Sequence, residues 1–108
     1  MEILEYLDAS GRSPYRDWFD ALDAVPAARI TVAITRMRLG NLSNTKGVGS
    51  GVQEYRIDFG PGYRIYFGKD GEMFVILLAG GTKKRQQADI QTAQARWADY
   101  KRRKKGAR

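Results

Sequence analysis

Neither cysteine nor histidine occurs in this 108-residue chain. Without cysteine there is no disulfide and no thiolate chemistry. Without histidine the usual general base and the commonest metal ligand are both missing. The two absences together exclude an ordinary zinc site, so we expect no metal and no small-molecule cofactor. Long apolar runs are also missing. The longest, Met73 to Ala79, is far too short to span a bilayer. No basic stretch precedes an apolar one after Met1-Glu2-Ile3, so we expect no signal peptide, no membrane and a cytoplasmic protein. The length suits one domain over residues 1–108.

Acidic residues are scarce in the later part of the chain. Residues 1–35 hold six acids against three bases, a net −3. Residues 36–108 hold six acids against sixteen bases, a net +10, and the whole chain carries +7. A basic half of this kind suits a polyanionic partner. A second reading assigns the excess to the tail, about 101–108, where it serves solubility. Arg96 to Arg108 alone holds seven bases and one acid.

The hydrophobic pattern predicts an α+β domain. Residues 2–7 read as a first strand. Ser13-Pro14 is a helix start, with serine as N-cap and proline at the first helical position. Tyr15, Trp18, Phe19 and Leu22 then fall on one helical face. Val25-Pro26 punctuates that helix, and a second helix is expected over 26–39, stopping at Gly40 and Asn41. Residues 41–51 read as a glycine-rich loop. From Val52 the period becomes two: Tyr55, Ile57 and Phe59 face one way, Glu54, Arg56 and Asp58 the other. Gly60-Pro61-Gly62 turns the chain into a return strand, 63–67, and Lys69-Asp70-Gly71 turns it again. Glu72 to Ala79 is apolar on both faces and so central. After Gly80-Gly81, Thr82 is the expected cap of a last helix, with Ile90, Ala93, Trp97 and Tyr100 on one stripe. The expected order is β-α-α-β-β-β-α, an antiparallel twisted sheet with an N-terminal helical hairpin and a C-terminal helix.

The polar face of the central hairpin is the first candidate site. Pairing Phe59 with Tyr63 sets Asp58 opposite Arg64 and Arg56 opposite Tyr66, with Glu54 at the end of the row. One reading is a solvated sheet face with an ordinary cross-strand ion pair. The other is one wall of an anion-binding groove. Lys83-Lys84-Arg85, expected at the start of the last helix, favours the groove. Cations are disfavoured at a helix N-terminus by about 0.3–1 kcal/mol each, and a phosphate there offsets the cost. Lys46 falls on the rim, and Tyr66 is a candidate platform for stacking bases. RNA brings its own nucleophile, the 2′-hydroxyl. Arg56, Arg64 and Lys83 can stabilise a developing phosphorane, Lys46, Lys84 and Arg85 can hold the backbone, and a carboxylate such as Glu54 can take the proton.

These residues also form a pattern. The stretch from Gln53 to Phe67, QEYRIDFGPGYRIYF, resembles a signature of HigB-like, phage-type addiction-module killer toxins in the RelE/ParE superfamily. Leu77 to Lys83 (LLAGGTK), Gln86 to Ile90 (QQADI) and Tyr15 to Phe19 (YRDWF) fit the same group. The resemblance implies a RelE-like fold and a toxin of a type II toxin–antitoxin system. It implies a cognate helix-turn-helix antitoxin as partner. It also implies metal-independent cleavage of mRNA on the ribosome, with Arg56, Arg64 and Lys83 or Lys84 at the family's basic positions. The ParE branch of the superfamily instead inhibits DNA gyrase without cutting RNA, so a shared fold leaves both activities open. Two positions depart from the RelE pattern: Glu54 stands where a lysine is expected, and Ile90 where a tyrosine is expected.

Overall fold

Ser13 accepts a hydrogen bond from the Arg16 amide at 3.0 Å, and Pro14 begins the helix it caps. The computed structural model describes residues 1–106. Strand β1 is Glu2–Glu5 and helix α1 is Pro14–Asp20. Helix α2, Ala24–Arg38, starts earlier than the sequence suggests, because Pro26 sits inside its first turn. A proline is tolerated there, since the amide it lacks would be unbonded anyway. The chain then forms β2 (Thr45–Gly47), β3 (Val52–Ile57), β4 (Tyr63–Asp70) and β5 (Phe74–Thr82). A single 3₁₀ turn, Lys83–Arg85, leads into helix α3, Gln86–Gly106.

The α+β class, the single sheet and the C-terminal helix agree with expectation; the strand count and direction do not. The sheet has five strands in the order β1-β5-β4-β3-β2. It is mixed rather than antiparallel, because β1 pairs parallel with β5. Helices α1 and α2 carry the chain from β1 at one edge to β2 at the other, and the sheet then returns strand by strand to β5. A parallel neighbour needs a crossover of this kind. The additional strand, β2, lies within the segment that reads as a loop. At three residues it is too short to show a period. The expected tail, 101–108, is helical as far as Gly106, where α3 ends. Residues 107 and 108 lie outside the described residues.

Both sheet faces are covered. On one, α1 and α2 pack Tyr15, Ile30, Ala33 and Met37 against Tyr55, Ile65, Phe67, Val75 and Leu77. On the other, α3 lays Ala93 and Trp97 over Val52, Tyr66, Ile76, Leu78 and Ala79. Strand β5 serves both cores. Val75 and Leu77 alternate with Ile76 and Leu78, and a bulge adds Ala79 to the second face: Tyr66 pairs with Ala79 and Phe67 with Leu77, so Leu78 is an extra residue. The Arg96 guanidinium donates to the Leu78 carbonyl at 2.8 Å.

Further anchors hold α3 in place. Tyr6 donates to Asp99 at 2.7 Å, Tyr100 donates to Asp70 at 2.6 Å, and the Gln94 amide donates to the Val48 carbonyl at 2.9 Å. No described helix is long and apolar enough to cross a membrane.

Two glycines permit the close approach of these layers. A Cβ at Gly80 would overlap the Trp18 indole, and one at Gly68 would overlap the Trp97 indole. Gly80→Ala and Gly68→Ala are each expected to destabilise the fold by about 1–3 kcal/mol through overpacking. Urea denaturation should show a lower midpoint with an unchanged slope.

Candidate functional site

The register of the β3–β4 hairpin rearranges the expected site. Arg56 lies opposite Arg64, and Glu54 opposite Tyr66. The expected pairs, Asp58 with Arg64 and Arg56 with Tyr66, are not formed. The strands close at Ile57–Tyr63 and leave Asp58 and Phe59 in the turn. Two arginines therefore face each other across the ladder, an arrangement that like-charge repulsion disfavours. Arg56 is exposed. Arg64 is 7% exposed, and its Nη1 donates to the Gly62 carbonyl at 2.9 Å.

Helix α3 covers the rest of this face. Glu54 and Tyr66 are each 0% exposed. Tyr66 is consequently no stacking platform, contrary to expectation: its ring is core, packed with Trp97 and Leu78. The Glu54 carboxylate accepts one hydrogen bond, from the Gln86 amide at 2.8 Å. Its other oxygen, Oε1, has no hydrogen-bond partner, nor do Tyr66 Oη, Arg64 Nε and Asp89 Oδ2. Burial pushes the Tyr66 hydroxyl well above its ordinary range, and the nearby Glu54 charge adds to the shift. These polar atoms lie beneath the start of α3, where the Asp89 carboxylate fills the space beside Gly81 and Gly81 pairs with Arg64.

Lys83, Lys84 and Arg85 are exposed and form the 3₁₀ turn itself. They precede α3 instead of occupying its first turn, and Thr82 makes no side-chain cap. The Lys83 amide donates to the Gly62 carbonyl at 2.9 Å, which fixes the turn beside the hairpin that carries Arg64. The structure thus brings Arg64 and Lys83 together at one end of the sheet, with Arg56 across the ladder.

A cleft of about 590 Å³ opens between α2 and the β2–β3 edge. Lys46 and Arg56 line it together with Arg29 and Arg36 of α2. The two helical arginines escape a sequence reading centred on the strands. Their signal is a seven-residue spacing beside the apolar face of α2. The Arg29 guanidinium sits 4.5 Å over the Phe59 ring.

Ion pairs are placed elsewhere. They join Arg12 to Asp17, Arg16 to Glu5, Arg102 and Arg103 to Asp99, and Lys104 to Asp70. Among the described residues, no carboxylate comes within 4.0 Å of the cations of the sheet end or of the cleft. The basic C-terminal segment neutralises part of its charge within the chain, whereas the sheet end does not. Among the described residues no cluster of acids could hold a metal ion.

Burial raises the Asp89 carboxyl above its ordinary range, against the opposing pull of Arg85 and Arg96. A raised carboxyl favours the folded state most when protonated. Its contribution is therefore full below the unfolded value, about 4, and is lost as pH rises through the folded one. Asp89→Asn removes that loss. Its urea midpoint should exceed that of the parent at neutral pH, and the difference should shrink toward zero on acidification. A difference that grew in acid would contradict burial as the cause.

The chain is similar to known sequences over most of its length. A protein of Haemophilus influenzae (strain ATCC 51907 / DSM 11121 / KW20 / Rd), described as an uncharacterized protein, is 40% identical over 80 residues, which cover 73% of this chain and 81% of that protein. Residues 17–98, which run from α1 through most of α3, match the family model described as phage derived protein Gp49-like (DUF891). That span takes in the hairpin, the 3₁₀ turn and the cleft alike, and the chain belongs to the Gp49-like phage-derived family.

Proposed function

We propose that this protein is the toxin of a type II toxin–antitoxin pair and acts as a metal-independent endoribonuclease on ribosome-bound mRNA. The observation that carries the reading is the set of cations at one sheet end that no described carboxylate pairs: Arg56, Arg64, Lys83, Lys84 and Arg85. Membership of the Gp49-like family supports it, as does the HigB-like hairpin from Gln53 to Phe67. A RelE-like ancestry of the fold belongs to the same proposal, as do a helix-turn-helix antitoxin partner and action in the cytoplasm.

In this reading the 2′-hydroxyl attacks the adjacent phosphorus and the 5′-oxygen leaves. Negative charge grows on the non-bridging oxygens. Arg64, largely buried and fixed by Gly62, is a preorganised donor for that charge, and such donors contribute about 10²–10³ in rate. Arg56 and Lys83 flank it, while Lys84, Arg85 and Lys46 hold the backbone on either side. Proton transfer is the demanding step. A base must reach the hydroxyl at about 2.6–3.2 Å, and Glu54 is sealed under α3 by Gln86. A Glu54-dependent step therefore requires the first turns of α3 to lift from the sheet.

That seal is also what favours a second reading, a ParE-like inhibitor of DNA gyrase that cuts nothing. The two are separated by incubating the purified protein with ribosomes and a defined mRNA, then mapping 5′ ends. Cleavage is expected, and Arg64→Ala should reduce it by about 10²-fold or more while circular dichroism shows the fold intact. Intact mRNA with the parent protein and ribosomes would overturn the nuclease reading. Inhibited supercoiling by gyrase in the same preparation would then establish the alternative.

A further inference from the structure

We propose that the open edge of β1 pairs antiparallel with β1 of a second copy of this chain, joining two five-stranded sheets about a twofold axis. The inference rests on the edge itself and does not depend on the nuclease reading. The two sheet edges differ. At one edge, β2 is three residues long and carries the exposed Lys46, features that discourage pairing with another chain. At the other, β1 has no lysine, proline or bulge. The Glu2 and Tyr6 amides donate to the Met73 and Leu77 carbonyls of β5. Ile3 and Glu5 therefore turn their backbone N–H and C=O groups outward, where no strand of this chain lies. Leu4 pairs with Ile76 and so stands on the α3 face, 43% exposed. With Leu7, Tyr100 and Arg103 it lines a groove of about 210 Å³ between β1 and α3.

One register satisfies this edge with itself. Centred on Leu4, the pairing sets Ile3 of each copy opposite Glu5 of the other, so the outward backbone groups bond to each other. Leu4 then faces its own counterpart in a non-hydrogen-bonded pair, with Cβ atoms about 4.5–5.5 Å apart, at the mouth of the groove. Glu2 falls opposite Tyr6. It is exposed and belongs to none of the ion pairs among the described residues. The Arg103 guanidinium stands 5.1 Å over the Tyr6 ring, so each Glu2 carboxylate meets a cation of the other copy. A centre at Glu5 would instead set two carboxylates face to face, which like-charge repulsion disfavours. A chain of net charge +7 repels its copy. This edge is where that repulsion is least, because residues 1–35 carry a net −3 and meet the basic end of α3.

The test uses the full chain. Two short strands and one groove make a small interface, and interfaces under about 1,200 Å² associate weakly. Sedimentation velocity should therefore show the parent passing from monomer toward dimer between about 10 µM and 1 mM. Leu4→Lys, which places a lysine on the edge, should remain monomeric over that range, and Glu2→Lys should weaken association. Both residues are exposed, so the urea midpoints should stay close to that of the parent. The chain has no cysteine, so Leu4→Cys carries a single thiol. A non-hydrogen-bonded pair brings Cα atoms to about 4.5 Å, within the span of a disulfide. With oxidised glutathione, Leu4→Cys should form a covalent dimer at least about tenfold faster than Leu39→Cys, whose thiol lies at the exposed end of α2. The proposal is overturned if the parent is monomeric at about 1 mM, or if Leu4→Lys dimerises as the parent does. It is equally overturned if Leu4→Cys cross-links no faster than Leu39→Cys.

Discussion

The bulge in β5 is the constraint on which the rest of the molecule depends. Strand β5 lies between a parallel neighbour and an antiparallel one, and it supplies apolar side chains to both faces. A regular strand would alternate throughout. The extra residue, Leu78, breaks that alternation, so Leu78 and Ala79 both pack under α3. It also shifts the phase of the last part of the strand: Gly80 comes to face Trp18 of α1, and Gly81 to face Asp89 of α3. The cost of a bulge is an interrupted ladder. Arg96 of α3 offsets that cost by donating to the Leu78 carbonyl. One inserted residue thus sets where both helical layers sit and gives α3 a polar anchor in the middle of the sheet.

Docking α3 there has a consequence for the polar face of the hairpin. The side chains that would otherwise be solvated, Glu54 and Tyr66, are removed from water. A buried carboxylate is costly unless it is well paired, and Glu54 has the Gln86 amide as its hydrogen-bond donor. Among the described residues, the buried side-chain atoms without hydrogen-bond partners all lie on Glu54, Arg64, Tyr66 and Asp89. Such groups cost on the order of 1–3 kcal/mol each when unsatisfied. Trp97 and Ala93 offset this through apolar burial. The first turns of α3 are therefore the weaker half of its contact with the sheet. The later turns hold more firmly, through Trp97, Tyr100 bonded to Asp70, and Asp99 bonded to Tyr6.

Much of the fold is legible in the sequence because its signals are periodic. Ser13-Pro14 announces α1, the alternation from Val52 announces β3, and the apolar run announces a central β5. The rest is decided by physics that acts at a distance. Nothing local distinguishes parallel from antiparallel pairing of β1, which is fixed by the path of α1 and α2. Strand β2 is too short to carry a period and depends on pairing with β3 for its existence. The hairpin register cannot be read from alternation, since a shift of two residues leaves every side chain on the same face. That shift replaces Arg56–Tyr66 by Arg56–Arg64. The candidate site is legible in the same partial way. Arg56, Arg64 and Lys83 do gather at one end of the sheet. The exposure of Glu54 and Tyr66 is decided by α3, whose polar-face partner no single-strand pattern reveals.

The distribution of ion pairs leaves the cations of the hairpin end without a carboxylate partner among the described residues. A chain of net charge +7 repels itself, and the simplest relief is to pair each base with an available acid. This chain does so at α1 and at the end of α3, where Asp17, Glu5, Asp99 and Asp70 each hold an arginine or lysine. At the hairpin end it does the opposite and sets Arg56 directly across from Arg64. Exposed pairs contribute little, about 0–1 kcal/mol each, so stability alone neither demands the first arrangement nor forbids the second. Repulsion concentrated at one end is relieved by any anionic surface that docks there, and the relief adds to the binding energy. Under the proposed function, the charge that the described carboxylates leave uncompensated meets the phosphates of RNA.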